Sequence, residues 1–318
     1  MRAIAVNEYG AMPALVEVPD PQAGPGQVLI KVEAAGINPM DRMIADGALQ
    51  PIGPAQFPLV LGVDLAGIVE AVGEGAGRFA PGEEVFGQLL VAPWGSAGTY
   101  TERVAVSEDQ PLARVPPGLD PVVAAALPTA GSAALEIVES LEPLSGKTAV
   151  LVGAAGGVGS FATQFAVNAG AHLVAVAGAD AGHRLRSYGA AEVIDYTAGS
   201  VPDALRRAHP DGIDVLIDLA SDADGFAALA SLVRTGGTAL KTRFQYAADI
   251  ESLASRGVIG VNYELRASSG VLERVADAVA SGRVIAPPIA RIALGDVPGL
   301  NGKPRPEGKT VIAFSGRG

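Results

Sequence analysis

Short segments in which apolar and polar residues alternate fill the first third of the chain. Such alternation puts successive side chains on opposite faces of a half-buried strand. The strand candidates are Gln27–Ala35, Leu65–Val72, Glu84–Gly87 and Tyr100–Val106. Proline and glycine pairs such as Pro81-Gly82 separate them and mark turns. Short strands at regular spacing predict a barrel-like or sandwich β domain.

The pattern changes after Pro121, where strand candidates begin to alternate with segments of helical composition. The predicted helices are Val122–Ala126, Gly131–Leu141, Phe161–Asn168 and Phe226–Val233. The predicted strands are Thr148–Val152, Leu173–Ala177, Glu192–Asp195, Val215–Asp218, Thr238–Leu240 and Val258–Val261. This alternation predicts a parallel sheet with helices on both faces, which is a doubly wound dinucleotide-binding fold.

The end of the chain carries an amphipathic helix, Gly270–Ser281, and a last strand, Lys309–Phe314. A lone strand needs a sheet to join, and the economical solution is a return to the first domain. The sequence therefore predicts a two-domain α/β protein. A β-barrel catalytic domain spans residues 1–122, a cofactor domain spans 123–262, and residues 263–318 return to the catalytic domain.

Composition limits the function. Of 318 residues, 49% are hydrophobic and the formal net charge is −11, so the chain can bury a core but lacks the basic face that binds nucleic acid. No apolar run approaches the roughly 20 residues of a membrane span. The segment Met1–Glu8 does not resemble a signal peptide. We expect a cytoplasmic protein without nucleic-acid or membrane partners.

Metal chemistry is limited by the lack of ligands. The chain has no cysteine and three histidines, which excludes thiolate zinc sites and disulfides. The histidines are His172, His183 and His209, and no two of them stand at metal-ligand spacing in the sequence. The sequence predicts no metal.

A glycine-rich loop follows the strand Thr148–Val152. Its residues read Ala154-x-Gly156-x-x-Gly159, a dinucleotide fingerprint with alanine at the first position. Gly156 lets the backbone approach a pyrophosphate, and Gly159 allows close packing of helix on strand. The helix that starts near Gly157 and Val158 directs its free N–H groups towards the phosphates. An ordinary glycine-rich turn is the alternative.

The end of the next strand indicates which dinucleotide binds. NAD sites usually carry an acidic residue there, but this strand ends in Ala177 and Gly178. Arg184 and Arg186 follow and supply positive charge for a 2′-phosphate, whereas Asp180 argues for NAD. NADPH is the preferred cofactor, and a solvated helix face is the alternative interpretation of the arginines.

Several short blocks in fixed order resemble the medium-chain dehydrogenases/reductases, and within them the zinc-independent quinone oxidoreductase-like proteins. The blocks are Gly26–Val32, Ala35–Asp41, Leu61–Gly67, Gly98–Glu102, Ala124–Pro128, Gly153–Gly159 and Tyr188–Tyr196. The resemblance implies a GroES-like β domain plus a Rossmann domain, with the cofactor in the cleft between them. It also implies a homodimer.

The resemblance also implies that zinc is absent. Zinc members carry cysteine at the position of Asn38, and a His-Glu pair at Val63-Asp64. Without a Lewis acid, an activated acceptor is favoured over a simple alcohol or ketone. The expected reaction is hydride transfer from NADPH to a quinone or an α,β-unsaturated carbonyl. Alternatives are a dedicated biosynthetic enoyl reductase and a weakly catalytic NADP(H)-binding sensor or structural protein.

Candidate catalytic residues come from the Asn38 block. Asn38 is expected to hold the nicotinamide ribose or a substrate oxygen, unless it only forms the turn before Pro39. Asp41 is the second candidate, with loop fixation by hydrogen bonds as its favoured role. No triad of serine, histidine and aspartate stands out.

The remaining candidates contact cofactor or substrate. Tyr196 is expected near the adenosine phosphate, and Lys241 and Arg243 follow a strand at the carboxyl edge of the sheet. Exposed loop charge is the alternative for both cations. Some quinone oxidoreductases have tyrosines at the positions of Met43 and Leu49, so these residues predict a more apolar pocket. Its candidate walls are Met43, Leu49, Phe57 and Trp94, with core packing as the alternative for each.

Overall fold

The computed structural model describes residues 1–242, 247–300 and 307–314. The chain folds into two compact units: unit 1 comprises Met1–Ser132 and Ala267–Gly318, and unit 2 comprises Ala133–Arg266. The predicted domain boundaries, after residues 122 and 262, lie ten and four residues before the observed ones, which follow residues 132 and 266. The first differs because the helix after Asp120 packs on three strands of the β unit instead of starting the next one.

The strands of unit 1 follow the predicted alternation. In chain order the elements are β1 (Arg2–Val6), β2 (Ala14–Glu17), β3 (Gln27–Ile37), α1 (Pro39–Ala45), β4 (Leu59–Val60), β5 (Asp64–Val72), β6 (Glu84–Gln88), β7 (Arg103–Ser107), β8 (Leu112–Arg114), α2 (Pro121–Ala124) and α3 (Pro128–Ser140), of which α3 continues into unit 2. Every second residue of β3 from Val28 to Val32 is buried. These residues, with the matching faces of β5 to β7, form the core of unit 1.

One strand of this unit begins later than the alternation predicted. β7 starts at Arg103, because the backbone of Tyr100 makes its hydrogen bonds outside the β7 ladder. The Tyr100 carbonyl accepts a hydrogen bond from Ile4 N, and Tyr100 N donates to Leu61 O, each at 2.8 Å. These partners hold the buried Tyr100 ring against the core instead of placing it in a regular ladder.

Unit 2 alternates strands and helices around one parallel sheet. Its elements are β9 (Thr148–Val152), α4 (Gly157–Asn168), β10 (His172–Ala177), α5 (Gly182–Ser187), β11 (Glu192–Asp195), α6 (Val201–Ala208), β12 (Ile213–Asp218), α7 (Ala223–Ala230), β13 (Val233–Thr242), α8 (Ile250–Ser255) and β14 (Ile259–Tyr263). The strand order is β11-β10-β9-β12-β13-β14, and each neighbouring pair is parallel. The two-domain α/β prediction, with its doubly wound sheet, is confirmed.

The predicted helix Phe226–Val233 was wrong at its end. α7 ends at Ala230, and Val233 begins β13, where it pairs with Ile213 of β12. Val233 is buried between neighbouring elements, a position that suits a β-branched side chain. Pairing with a strand distant in sequence, which no local pattern reports, decides this boundary.

The chain returns to unit 1 through α9 (Ser269–Ala280), β15 (Ile289–Ile292) and β16 (Lys309–Ala313). β16 pairs antiparallel with β3, and Val311 lies opposite Gly36. The register brings the start of β16 next to the end of β3, where α1 begins. Within the described ranges, no helix has both the length and the apolar character that crossing a bilayer requires.

Candidate active site

The loop between β9 and α4 has the geometry of a phosphate site. Gly153 turns the chain with a positive φ of 82°, a conformation that glycine adopts without strain. Ala154 is buried beneath the loop, while Gly156 is exposed and immediately precedes α4. The fingerprint assigns glycine two roles, close approach of the ligand at Gly156 and close packing of the helix at Gly159.

A Cβ atom would have opposite effects at these two glycines. At Gly159 it would lie 2.2 Å from the Gly153 carbonyl oxygen and 2.6 Å from the Ala154 Cα, both in the backbone. At Gly156 it would meet only the Gly153 oxygen, at an ordinary 3.5 Å. Gly159 is therefore required for packing of the helix, whereas Gly156 keeps the outer surface of the loop clear.

The start of α4 presents backbone donors. No side chain in the described ranges caps this helix at Gly156. The first-turn N–H groups of a helix lack partners within the helix, and the helix dipole is positive at this end. Gly157 and Val158, both half-buried, lie in this first turn. The arrangement suits an anionic group such as a diphosphate.

The predicted adenosine-side residues gather beyond the ends of β10 and β11. Gly178 follows β10, and a Cβ there would lie 3.9 Å from the ring of Tyr196, which follows β11. The Tyr196 side chain is 61% exposed. Arg184 Nη1 donates to Ser160 Oγ of α4 at 3.1 Å, so α5 reaches the helix that carries the phosphate loop. The carboxyl ends of parallel strands lie at the same edge of a sheet, so Gly178 and Tyr196 lie at the edge that carries the phosphate loop.

Lys241 was weighed as either a ligand contact or an exposed loop charge, and exposure was wrong. Its side chain is buried, and Nζ lies 3.2 Å from Asp218 Oδ1 and donates to Ser221 O at 2.6 Å. Asp218 Oδ1 also accepts from Ala220 N at 3.0 Å. Lys241 thus fixes the turn after β12, whose Ala220 lies under Gly153. Arg243 lies outside the described residues.

A buried polar cluster joins the ends of three strands in unit 1. Lys309 Nζ donates to Asn38 Oδ1 at 2.6 Å and to Ile37 O at 3.1 Å. Asn38 Nδ2 donates to Asp64 Oδ2 at 2.8 Å, and Lys309 Nζ lies 3.6 Å from the same oxygen. All three side chains are at most 5% exposed. Both ends of the Asn38 amide are therefore engaged inside the protein.

Thr129 donates further hydrogen bonds to Asp64, and Gln88 donates to Thr129. Thr129 Oγ1 donates to Asp64 Oδ1 at 2.6 Å, and Thr129 N lies 3.2 Å from both carboxylate oxygens. Gln88 Nε2 in turn donates to Thr129 Oγ1. Burial raises the pKa of Asp64, and the Lys309 ammonium and these donors oppose that rise. The pair of opposite charges keeps a buried carboxylate and a buried ammonium compatible with folding.

Asp41 lies beside this cluster in the first turn of α1. Its Oδ2 accepts from Asn38 N and from the Tyr100 hydroxyl, each at 2.6 Å. Its Oδ1 is buried and has no hydrogen-bond partner among the described residues. Burial raises the pKa of Asp41 to about 7, and the Tyr100 hydrogen bond only partly offsets the effect. Asp41 thus fixes the backbone at Asn38, the role that the sequence analysis favoured.

The raised pKa predicts how Asp41→Asn changes stability with pH. The folded state disfavours the ionised carboxyl, so the contribution of Asp41 is complete below its ordinary pKa and is lost as the pH rises through 7. We expect the free energy of unfolding of Asp41→Asn to gain about 2–4 kcal/mol relative to the native protein between pH 4 and pH 8. Urea denaturation at several pH values measures this difference.

A second variant provides the control. Tyr100→Phe removes one donor to the carboxyl, so the pH-dependent loss of stability should be larger and should continue to higher pH, because the pKa of Asp41 rises further. A pH-independent difference between Asp41→Asn and the native protein would contradict the assigned burial of the charge.

The predicted substrate walls are placed in different environments. Trp94 is 8% exposed in the core of unit 1, and the half-buried Leu49 packs against that core. Phe57 is 40% exposed and meets the Tyr9 ring edge to face at a centroid distance of 5.1 Å. Met43 is half-buried on α1. A small cavity beside Ile44 and Leu61 is lined by Trp94 and not by the other three, and core packing accounts for Trp94 and Leu49.

Two groupings escaped the sequence analysis. Lys309 opens an apolar strand, and the only signal of its role was a cation at the head of a buried segment. The second grouping consists of histidines: His172 and His209 are far apart in sequence, yet both lie against Glu192. Their meeting depends on the sheet register and on the end of α6.

Comparison with known proteins agrees with this architecture. A family profile described as "Alcohol dehydrogenase GroES-like domain" matches residues 24–117, and one described as "Zinc-binding dehydrogenase" matches residues 157–253. The structure of the quinone oxidoreductase from Coxiella burnetii superposes with a TM-score of 0.88 and 25% identity, over 99% of both chains.

Sequence relatives extend the comparison. Quinone-oxidoreductase QR1, chloroplastic, of Triphysaria versicolor is 32% identical over 232 residues, covering 70% of this chain and 68% of that protein. NAD(P)H oxidoreductase RTN4IP1, mitochondrial, of Mus musculus is 38% identical over 199 residues, covering 57% of this chain and 49% of that protein. The match therefore spans about half the length of this second relative.

These findings define the class: the chain belongs to the medium-chain dehydrogenases/reductases, with a GroES-like domain and a Rossmann domain. Within that superfamily it belongs to the quinone oxidoreductase-like group, as the relative from Triphysaria versicolor and the structure from Coxiella burnetii indicate. The resemblance inferred from the sequence blocks is confirmed.

Proposed function

We propose that the protein is a zinc-independent, NADPH-dependent oxidoreductase that transfers hydride to a quinone or an α,β-unsaturated carbonyl. The observation that carries this proposal is the phosphate loop. The exposed Gly156 precedes an uncapped helix, and only glycine fits the packed position Gly159. Group membership supports the type of acceptor.

Binding of NADPH rather than NADH is supported by the charges around Gly178. No carboxylate ends β10, and Arg184 reaches Ser160 on the helix of the phosphate loop. A guanidinium in this position matches a 2′-phosphate through paired hydrogen bonds. The exposed Asp180, in the short turn after Gly178, is the charge that argues against it.

Arg184→Ala tests the cofactor preference. We expect its Kd for NADPH to rise about tenfold, a loss of about 1.4 kcal/mol, while the Kd for NADH changes little. Arg206→Ala is the matched control, because Arg206 pairs with Asp203 on α6 and should leave both constants unchanged. Calorimetric titration measures them. An equal loss for both nucleotides would assign Arg184 to the fold or to the shared diphosphate.

Independence of zinc is supported by a buried cation. The residues at the positions of two zinc-binding side chains of the superfamily are Asn38 and Asp64, and both are bound to the Lys309 ammonium. An ammonium within 4 Å repels a divalent cation in a buried site. The amide of Asn38 and the aliphatic side chain of Val63 also do not replace the thiolate and imidazole ligands that zinc members carry at these two positions. These residues do not fit a zinc ion.

When bound, the reduced nicotinamide supplies a hydride to an electron-poor carbon, which leaves negative charge on the acceptor oxygen. The chain's contribution is a fixed positive environment. Lys309 and the Asn38 amide are held by Asp64, Thr129 and Asp41, so no reorganisation is needed as charge develops. In this proposal Asn38 and Lys309 act on the acceptor oxygen through their electrostatic field and not by a direct hydrogen bond, since their polar atoms are bonded inside the protein, and Asp41 positions Asn38.

NADPH oxidation with a panel of acceptors tests the function. We expect turnover with quinones and enones, none with saturated ketones, and no change after treatment with a chelator. NADPH binding without turnover over the whole panel would favour a sensor. Loss of activity on chelation that zinc restores, in a protein that stays folded throughout, would overturn zinc independence, and failure to bind either nicotinamide nucleotide would overturn the oxidoreductase assignment.

We also propose a homodimer and a cytoplasmic location. The dimer is supported by β14, an edge strand of the sheet whose Ile259 is 58% exposed. Light scattering after gel filtration should give twice the chain mass, and Ile259→Lys should give the monomer.

Relatives include mitochondrial and chloroplastic proteins, so fractionation of cells is the test of location.

A further inference from the structure

A cluster of two histidines and a glutamate lies at the amino edge of the parallel sheet. His172 is the first residue of β10, Glu192 is the first residue of β11, and His209 directly follows α6. The phosphate loop follows the carboxyl end of β9, which is the opposite edge. The proposed function does not use this cluster.

The three donor atoms converge. His172 Nε2 lies 2.7 Å and His209 Nε2 lies 3.3 Å from the same oxygen, Glu192 Oε1. One ligand atom from each residue lies within 4.8 Å of the others. Atoms bound tetrahedrally at about 2.1 Å from a zinc ion lie about 3.4 Å from one another. The observed spacing is therefore close to that of three ligands on one face of a metal ion.

The state of His209 Nε2 is a second, independent observation. The atom is shielded from solvent and makes no hydrogen bond to any described residue, although Glu192 Oε1 is near. A buried polar atom without a partner costs free energy, and native structures rarely leave one. A metal ion bound at this position would satisfy it.

The backbone holds the three residues in place without a metal. His172 N donates to Lys147 O at 2.9 Å, and His209 N donates to Leu205 O at 2.7 Å. The two imidazole rings are 6.1 Å apart and inclined at 68°. Because the ligands belong to two strands and a helix end, a shared ion would link α6 to the sheet.

We propose that His172, Glu192 and His209 form a binding site for a divalent transition cation such as Zn²⁺. Two neutral imidazoles and one carboxylate suit zinc and its neighbours better than the hard cations magnesium and calcium. Water completes the coordination on the exposed side of His172. The site stabilises unit 2, because an ion that binds only the folded state raises its stability.

Zinc titration of the full chain, free of an affinity tag and treated with a chelator, tests the site. We expect one Zn²⁺ per chain. His172→Ala and His209→Ala should each weaken binding at least tenfold. His183→Ala is the matched control, because this third histidine is exposed on α5 outside the cluster, and its affinity for Zn²⁺ should equal that of the native protein.

A spectroscopic measurement avoids the risk that a variant fails to fold. The chain contains three histidines, so their ring signals can be followed separately by NMR. Added Co²⁺ should shift or broaden the signals of His172 and His209 and spare that of His183. The proposal is overturned if millimolar Zn²⁺ does not bind, if His172→Ala and His209→Ala bind zinc as the native protein does, or if the three signals respond equally.

Discussion

Gly159→Ala is expected to destabilise unit 2 by about 2–4 kcal/mol, because overpacking against a fixed backbone cannot relax. The new methyl carbon would lie 2.2 Å from the Gly153 oxygen and 2.6 Å from the Ala154 Cα. Relief requires α4 to move away from β9, which also disturbs the donors of the phosphate loop. Nicotinamide nucleotide binding should therefore be lost together with stability.

Gly156→Ala separates packing from ligand approach. Its φ of −73° suits alanine, and its Cβ meets only one atom, at 3.5 Å. We expect a loss of stability of about 1 kcal/mol or less, from replacing glycine before a helix. The Kd for NADPH should nevertheless rise about tenfold or more, since the methyl group occupies the path of the diphosphate.

Thermal unfolding and calorimetric titration of both variants measure these effects. The outcome that contradicts the assigned loop is a Gly156→Ala protein with native affinity, or a Gly159→Ala protein with native stability. Supplementing Gly159→Ala with NADPH should restore little of its stability, because the binding surface itself is displaced.

The second large effect is expected from the buried pair in unit 1. Lys309→Met leaves Asp64 0% exposed and without its cation, with Thr129 and Asn38 as its remaining partners. Removing one member of a buried ion pair costs about 3–5 kcal/mol, because the other charge stays without compensation. We expect this loss near pH 7, measured by urea denaturation.

The loss should depend on pH in a defined direction. Burial already raises the pKa of Asp64, and Lys309 lowers it, so removal of the cation raises it further. The folded variant then binds a proton that the unfolded chain releases, and its stability falls as the pH rises above the ordinary range of an aspartate. The destabilisation should therefore be smaller near pH 4.5 than near pH 7.

Lys309→Met/Asp64→Asn is the matched control, because it removes both charges and keeps the shape of the carboxyl. The double variant should regain at least half of the stability that Lys309→Met loses, and its dependence on pH should be weaker. A loss below about 1 kcal/mol for Lys309→Met, without pH dependence, would show that the pair is not a buried charge pair.

Local patterns in the sequence predicted most of the elements. The strands β9 and β11 match their predicted bounds residue by residue: β9 is a short run of apolar or β-branched residues, and β11 has Val193 and Ile194 between two acidic residues. The phosphate loop was equally accessible, since its glycines fall within the short segment Gly153–Gly159, where a strand is followed by a helix. Boundaries failed where distant residues decide them, as at Val233 and Tyr100.

The site residues divide in the same way. Asn38 and Asp41 were identified because they belong to one short block, and their hydrogen bond spans three positions. Lys309 lies 271 positions from Asn38, and no local signal connects them. Lys241 looked like a loop charge because its partner Asp218 lies on a different strand.

The sequence by itself determined the periodicities, the turns and the glycine loop, because these depend on the conformational preferences of neighbouring residues. Only the tertiary structure decided the pairing of Lys309 with Asp64, the burial of Lys241 and the meeting of His172 with His209. Each depends on which strands become neighbours and in what register, a choice made by burial of apolar faces over the whole chain. Charged groups brought together in this way then form buried ion pairs, which no isolated segment could form.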